Sequence, residues 1–188
     1  TRAYNRRIIN QKWNKEMKKM KTYIQLLLVT LFVPVLSACD QEDDVIDIFT
    51  GKTWYMTYIA VEGQNKMYDF WQGDQDAREK SFKTIAGDNY TLVFDGAEVN
   101  GTAGGTFTGK ATSASVNGDW NANGNNRELK ITVKNAGTDA DKYLGKAFMD
   151  GLKNAFKYGG DNKNLYIYYK EGQTVKFISF APQRNSGN

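Results

Sequence analysis

The chain has 188 residues, with 25 Lys and Arg, 21 Asp and Glu, no His and one Cys. Those counts exclude disulfides within the chain, zinc sites built from Cys and His, and every mechanism that needs a histidine base. The length fits one domain with extensions, and 18 Gly against 2 Pro, with 13% aromatic residues, fits a turn-rich β-domain with ample core material.

The formal charge of +4 is unevenly spread. Up to Ala38 there are eight basic residues (Arg2, Arg6, Arg7, Lys12, Lys15, Lys18, Lys19, Lys21) and one acid, Glu16, which leaves 17 basic and 20 acidic residues, a net of −3, beyond it. The basicity belongs to the front segment, so a nucleic-acid partner is not expected.

Residues 1–16 read as an upstream translated segment, with the start at Met17 or Met20. Residues 17–38 read as a signal peptide: Lys18, Lys19 and Lys21 form a positive n-region and Ile24 to Leu36 an apolar h-region. The apolar run falls short of the roughly 20 residues of a membrane-spanning helix. Leu36-Ser37-Ala38-Cys39 resembles a bacterial lipobox. The resemblance implies a diacylglycerol on the Cys39 sulfur and an acylated amine after cleavage, making the membrane a partner through a lipid anchor. Two or more acyl chains hold a protein stably where one does not.

Asp40, Glu42, Asp43 and Asp44 follow at once. Such a cluster resembles the signal that exports Bacteroidetes lipoproteins to the exterior face of the outer membrane. Its plainer reading is a solvated tether kept extended by charge. Residues 39–49 are read as this lipidated tether, 50–182 as the folded domain and 183–188 as a tail.

From Thr50 the pattern is that of strands. "TWYMTYIAVEG" predicts a strand with Trp54, Met56, Tyr58 and Ala60 on one face. "NYTLVFDG" alternates Tyr90, Leu92 and Phe94 and predicts a hairpin turn at Asp95-Gly96. "GGTFTGKATSA" suits strand and turn, and Asn117-Gly118 predicts another turn. In "RELKITVKN", Leu129, Ile131 and Val133 alternate with Glu128, Lys130, Thr132 and Lys134, one face buried and one wet. "NLYIYYKEGQTVKFISF" predicts a hairpin around Glu171-Gly172-Gln173, with Leu165, Ile167 and Tyr169 facing the core.

One segment has helical period. Leu144, Ala147, Phe148, Gly151, Leu152 and Ala155 make an apolar stripe after Thr138-x-x-Asp141, close to a capping box. Lys153 and Lys157 suit its last turn, and Gly159-Gly160 predicts its stop. The stripe needs a surface to cover, and a curled antiparallel sheet supplies one.

The order "YTLVFDGAEVNGTAGGTFTGKA", a Gly118-Asp119-Trp120 strand, "KAFMDGLKNA", "LYIYY" and "VKFISF" resembles the META domain over about Thr50 to Pro182, with Trp54 on the first strand, Phe94-Asp95 ending the next and a Gly-rich stretch from Gly101 to Gly109. The family's Gly-Cys-Asn run is absent; Gly104-Gly105-Thr106 stands there. The layout is also similar to small lipocalin-like domains of unknown function in Bacteroidales lipoproteins. Both likenesses imply a mainly β fold, an antiparallel barrel-like domain with one helix packed on it before the C-terminal hairpin. Neither carries a catalytic residue to transfer, so the protein is expected not to be an enzyme.

The most singular loop is "KMYDFWQGDQDAREKSF", Lys66 to Phe82. Tyr68, Phe70 and Trp71 beside Asp69 suit stacking on a sugar and hydrogen bonding to its hydroxyls; otherwise Phe70 and Trp71 cap one end of the barrel above a solvated acidic rim. Asp74, Asp76 and Glu79 lack the spacing of a calcium loop, so no metal is expected, nor any cofactor. Gly101 to Lys110 is no phosphate loop, because no Ser or Thr follows Lys110 and the pattern stays β. Asn89-Tyr90-Thr91 and Asn100-Gly101-Thr102 match the glycosylation pattern by chance. Three functions remain: a non-enzymatic binding or envelope-interaction module with a small-molecule or glycan ligand, a lipocalin-like carrier of an apolar or glycan ligand, and, remotely, a glycoside hydrolase using two carboxylates.

Overall fold

The computed structural model describes residues 44–182; Cys39, Asp40, Glu42 and Asp43, the signal segment and the tail lie outside the described residues. Helix α1 (Val45–Phe49) precedes β1 (Thr53–Val61), α2 (Gln75–Ala86), β2 (Tyr90–Val99), β3 (Thr102–Ala111), β4 (Ala114–Asn123) and β5 (Leu129–Ala136). Then come α3 (Leu144–Lys153), β6 (Ala155–Gly160), β7 (Leu165–Glu171) and β8 (Thr174–Ala181). The eight strands form one antiparallel sheet in the order β5-β4-β3-β2-β1-β8-β7-β6. The edges β5 and β6 form no ladder. They meet at an isolated bridge between Glu128 and Lys157, beside a bond from the Tyr158 amide to the Arg127 carbonyl at 3.0 Å. The fold is therefore a mainly β, eight-stranded antiparallel sheet whose ladder does not close.

Alternation places the core as expected on three strands. Tyr90, Leu92 and Phe94 of β2, Leu129 and Ile131 of β5, and Leu165, Ile167 and Tyr169 of β7 are all buried. On β1 the alternation breaks. Met56 pairs with Phe180 and Tyr58 with Ser179, so Thr57 is an extra residue, a bulge that reverses the faces beyond it. Ile59 takes the core position, and Tyr58 lies against Phe177 on the other face at 5.8 Å between ring centroids.

Both predicted internal turns are strand. β2 runs through Asp95-Gly96 because Gly96 faces Gly105, where a Cβ would lie 2.3 Å from the Gly104 carbonyl oxygen. The chain turns instead at Asn100 and Gly101, both at positive φ (54° and 73°), the backbone of a tight hairpin. β4 runs through Asn117-Gly118 past a bulge against β5, where a Cβ on Gly118 would lie 2.0 Å from the Thr132 carbonyl.

There are three helices among the described residues, not one. α3 buries the expected stripe but ends at Lys153; Ala155, Lys157 and Gly159-Gly160 belong to β6, which pairs with β7. α2 occupies Gln75–Ala86, its part up to Phe82 read as loop from the sequence, with the Asp74 carboxylate accepting the Ala77 amide at 3.0 Å. α1 takes up Val45–Phe49, read above as the end of the tether, and Asp44 caps it by accepting the Asp47 amide at 3.0 Å. Its Val45, Ile48 and Phe49 are buried. Phe49 stacks on Trp120 at 4.7 Å and meets Phe94 and Tyr158 edge-on at 5.0 and 5.2 Å. No helix among the described residues is long and apolar enough to cross a membrane.

Candidate functional site

The segment after β1 folds back over the sheet. The Tyr68 amide bonds to the Ile59 carbonyl at 2.8 Å, and Gln72 and Gly73 turn the chain with positive φ into α2. Beneath it, Trp71 is buried; its indole N–H donates to Ser81 Oγ at 2.9 Å. The Ser81 hydroxyl donates to Asp141 Oδ2 at 2.8 Å. Asp141 Oδ1 accepts the amides of Tyr143 and Leu144, both at 2.9 Å, so this carboxylate caps the start of α3. The expected capping box is thus a single Asp. One polar relay, buried at Trp71 and Ser81 and half-buried at Asp141, fastens the aromatic loop, α2 and α3 together.

That fastening frames a cleft of about 390 Å³. Tyr68, Asp69 and Phe70 line one wall, Tyr143, Lys146 and Asp150 of the α3 segment another, and Glu171 and Lys176 of the β7–β8 hairpin the floor. Of the four residues singled out in the loop, Tyr68, Asp69 and Phe70 line the cleft; Trp71 does not, and supports it from below. Asp69 is held by accepting the Trp71 amide at 3.1 Å. Asp74 caps α2, Asp76 sits in its first turn and Glu79 pairs with Lys83 at 2.6 Å. Among the described residues no group of three or more metal-ligating acids converges.

Sequence reasoning missed Tyr143, Lys146, Asp150 and Glu171 of the lining and, most notably, Lys176. It follows the inward parity of Ile178 and Phe180 on β8, and that parity was the available sign. Its ammonium lies 3.6 Å from the Tyr68 ring centroid and 5.0 Å from that of Phe70, and it pairs with Glu171. A lysine taken from water needs such partners. Lys146 pairs with Asp150 one turn along α3, and that carboxylate's hydrogen bond holds the ammonium's pKa above the usual lysine value. Tyr169, the β7 partner of Lys176, is buried, and burial pushes its phenol above the usual range, with the Glu171 and Asp150 charges adding.

Fold and site together define an antiparallel β-domain whose helix and loop frame a polar, ring-lined cleft. The chain belongs to the DUF4847 family, a domain of unknown function, whose family model matches residues 40–182. Its fold is similar to the crystal structure of a DUF4847 family protein from Bacteroides vulgatus ATCC 8482, at 23% identity and a TM-score of 0.52, over 76% of this chain and 99% of that one. No curated protein matches the chain. The META and lipocalin likeness rests on element order and on Trp54, Phe94-Asp95 and the Gly-rich stretch from Gly101 to Gly109.

Proposed function

We propose that this is a non-enzymatic binding module of the cell envelope, anchored through Cys39 in the outer membrane and facing the exterior, which binds a glycan in the cleft beside Tyr68, Asp69 and Phe70. The observation that carries the reading is the cleft itself. Its volume of about 390 Å³ lies within the span of small-ligand sites, and its lining alternates rings with charged groups. Rings stack on sugar faces, and the polar groups between them meet hydroxyls.

The hydrolase reading is weaker because Asp150 and Glu171 are each paired with a lysine and Asp69 with a backbone amide. The carrier reading is weaker because Phe49, Trp54, Phe94 and Phe107 fill the interior. The bridge between the sheet edges supports a barrel-like description of the curl. Anchoring and export rest on the lipobox and the acids behind it.

Two experiments test this. Titration calorimetry of the protein against a panel of neutral and acidic oligosaccharides is expected to find a binder, and Tyr68→Ala to weaken it about tenfold, the upper range of an aromatic contact. No binding to any saccharide at millimolar concentration refutes the cleft assignment. Proteinase treatment of intact cells is expected to cleave the native protein and to spare a variant with Asp40, Glu42 and Asp43 changed to Ala. Asp44 is kept in that variant because it caps α1. A native protein resistant in intact cells refutes surface display.

A further inference from the structure

Lys176 is the sole charged residue that is buried among the described residues. Its pair with Glu171 is lopsided: the lysine side chain is 2% exposed and the glutamate 59%. The ammonium is fixed by β8 and by the rings of Tyr68 and Phe70, while its counter-ion reaches in from the solvent end of the β7–β8 hairpin. A largely hydrated carboxylate on a long side chain gives up rotamer freedom to hold that position. A carboxylate delivered by a ligand already seated on the rings does not carry that penalty.

A second donor stands unused beside it. Tyr169, paired with Lys176 across β7 and β8, has a buried hydroxyl with no hydrogen-bond partner among the described residues. The groups whose charge acts on it, Glu171, Asp150 and Tyr68, all line the cleft. A buried phenol without a partner is uncommon in a native protein and is satisfied when an acceptor arrives. With Glu171 displaced, Lys142, Lys146 and Lys176 face only Asp69 and Asp150 among the lining charges.

Resting on the glycan reading above, we propose that the ligand carries a carboxylate, as a uronic-acid sugar does, and that this group displaces Glu171 and takes Lys176 and Tyr169 as its donors. Glu171 then acts as a resident stand-in that keeps the buried ammonium neutralised while the cleft is empty.

The test compares trigalacturonate with its methyl ester, the same rings without the charges, by calorimetry on the detergent-solubilised full chain. The acid is expected to bind at least about tenfold tighter, the scale of a hydrogen bond to a charged group. Glu171→Gln is expected to tighten acid binding several-fold and to raise the ratio of acid to ester affinity. Tyr169→Phe removes a hydroxyl that bonds to nothing among the described residues, so the fold is retained, and it is expected to weaken acid binding. Ester binding equal to or tighter than acid binding overturns the proposal and leaves the glycan reading standing. So does weaker acid binding by Glu171→Gln, which makes the ion pair structural. Failure of both trimers and of every other saccharide to bind overturns the glycan reading as well.

Discussion

Changing Phe49 to Ala asks whether α1 is part of the domain or a decoration on it. Phe49 is fully buried, touches three other rings within 4.7 to 5.2 Å, and presents its carbonyl to the Trp54 indole N–H at 3.0 Å. Removing a buried phenylalanine ring costs about 3–5 kcal/mol, the transfer of the ring plus the cavity left behind. Trp120, Phe94 and Tyr158 come from strands β4, β2 and β6, each held by its own ladder, so the void collapses poorly and the upper half of that range applies. For a domain between 100 and 200 residues, about 4 kcal/mol lowers the melting temperature by roughly 10–20 °C. Thermal unfolding followed by near- and far-ultraviolet circular dichroism reads this directly. A drop of less than about 3 °C would show that α1 does not complete the core.

Ser81→Ala strands the Trp71 indole N–H and removes a donor from Asp141, at a cost of about 1–3 kcal/mol in urea unfolding; an unchanged midpoint would mean that the relay is not structural. Asp44→Ala deletes the α1 cap, with an expected loss of about 1 kcal/mol, and equal stability would refute that role. Burial pushes the Asp139 carboxyl above the usual carboxylate range, with the Asp141 charge adding and the Asp141 amide opposing. The folded state therefore binds its proton more tightly than the unfolded chain, and stability falls as pH rises from the unfolded value through the folded one. Asp139→Asn keeps the acceptor for the Asp141 amide and is expected to be as stable or more stable at pH 7, with a flatter stability profile above the usual carboxylate range. Lower stability at pH 7 with an unchanged profile would sink that argument.

Sequence patterning is most informative where one face of a strand is wet. Leu129, Ile131 and Val133, or Leu165, Ile167 and Tyr169, announce themselves because the residues between them are charged, polar or only half-buried. It fails where a backbone irregularity or a tertiary pairing decides. A single bulge at Thr57 sends Tyr58 outward, and no local composition marks it. Ala155 continues the stripe of α3 by one position, yet the segment is strand because β7 offers it a partner. The helix α2 buries only Ser81, so it has no apolar stripe to detect, although its Asp74 cap and its run of good helix formers were present to be weighed. The cleft was half legible. Tyr68 and Phe70 stood together in one loop, whereas Tyr143 comes from the α3 segment and Glu171 and Lys176 reach the cleft only through the pairing of β7 with β8.

The position of β1 has a consequence for how the molecule comes into being. This first strand lies between β2 and the last strand, β8, with Tyr55 opposite Ala181. The runs β2 to β5 and β6 to β8 are local meanders that zip residue by residue, but the seam joining them waits for a contact spanning nearly the whole domain. A nascent chain that has not yet delivered β8 exposes one full edge of β1 and cannot bury Ile178 or Phe180. Such a chain stays open to proteolysis until β8 emerges, so completion of the sheet is timed by its last strand.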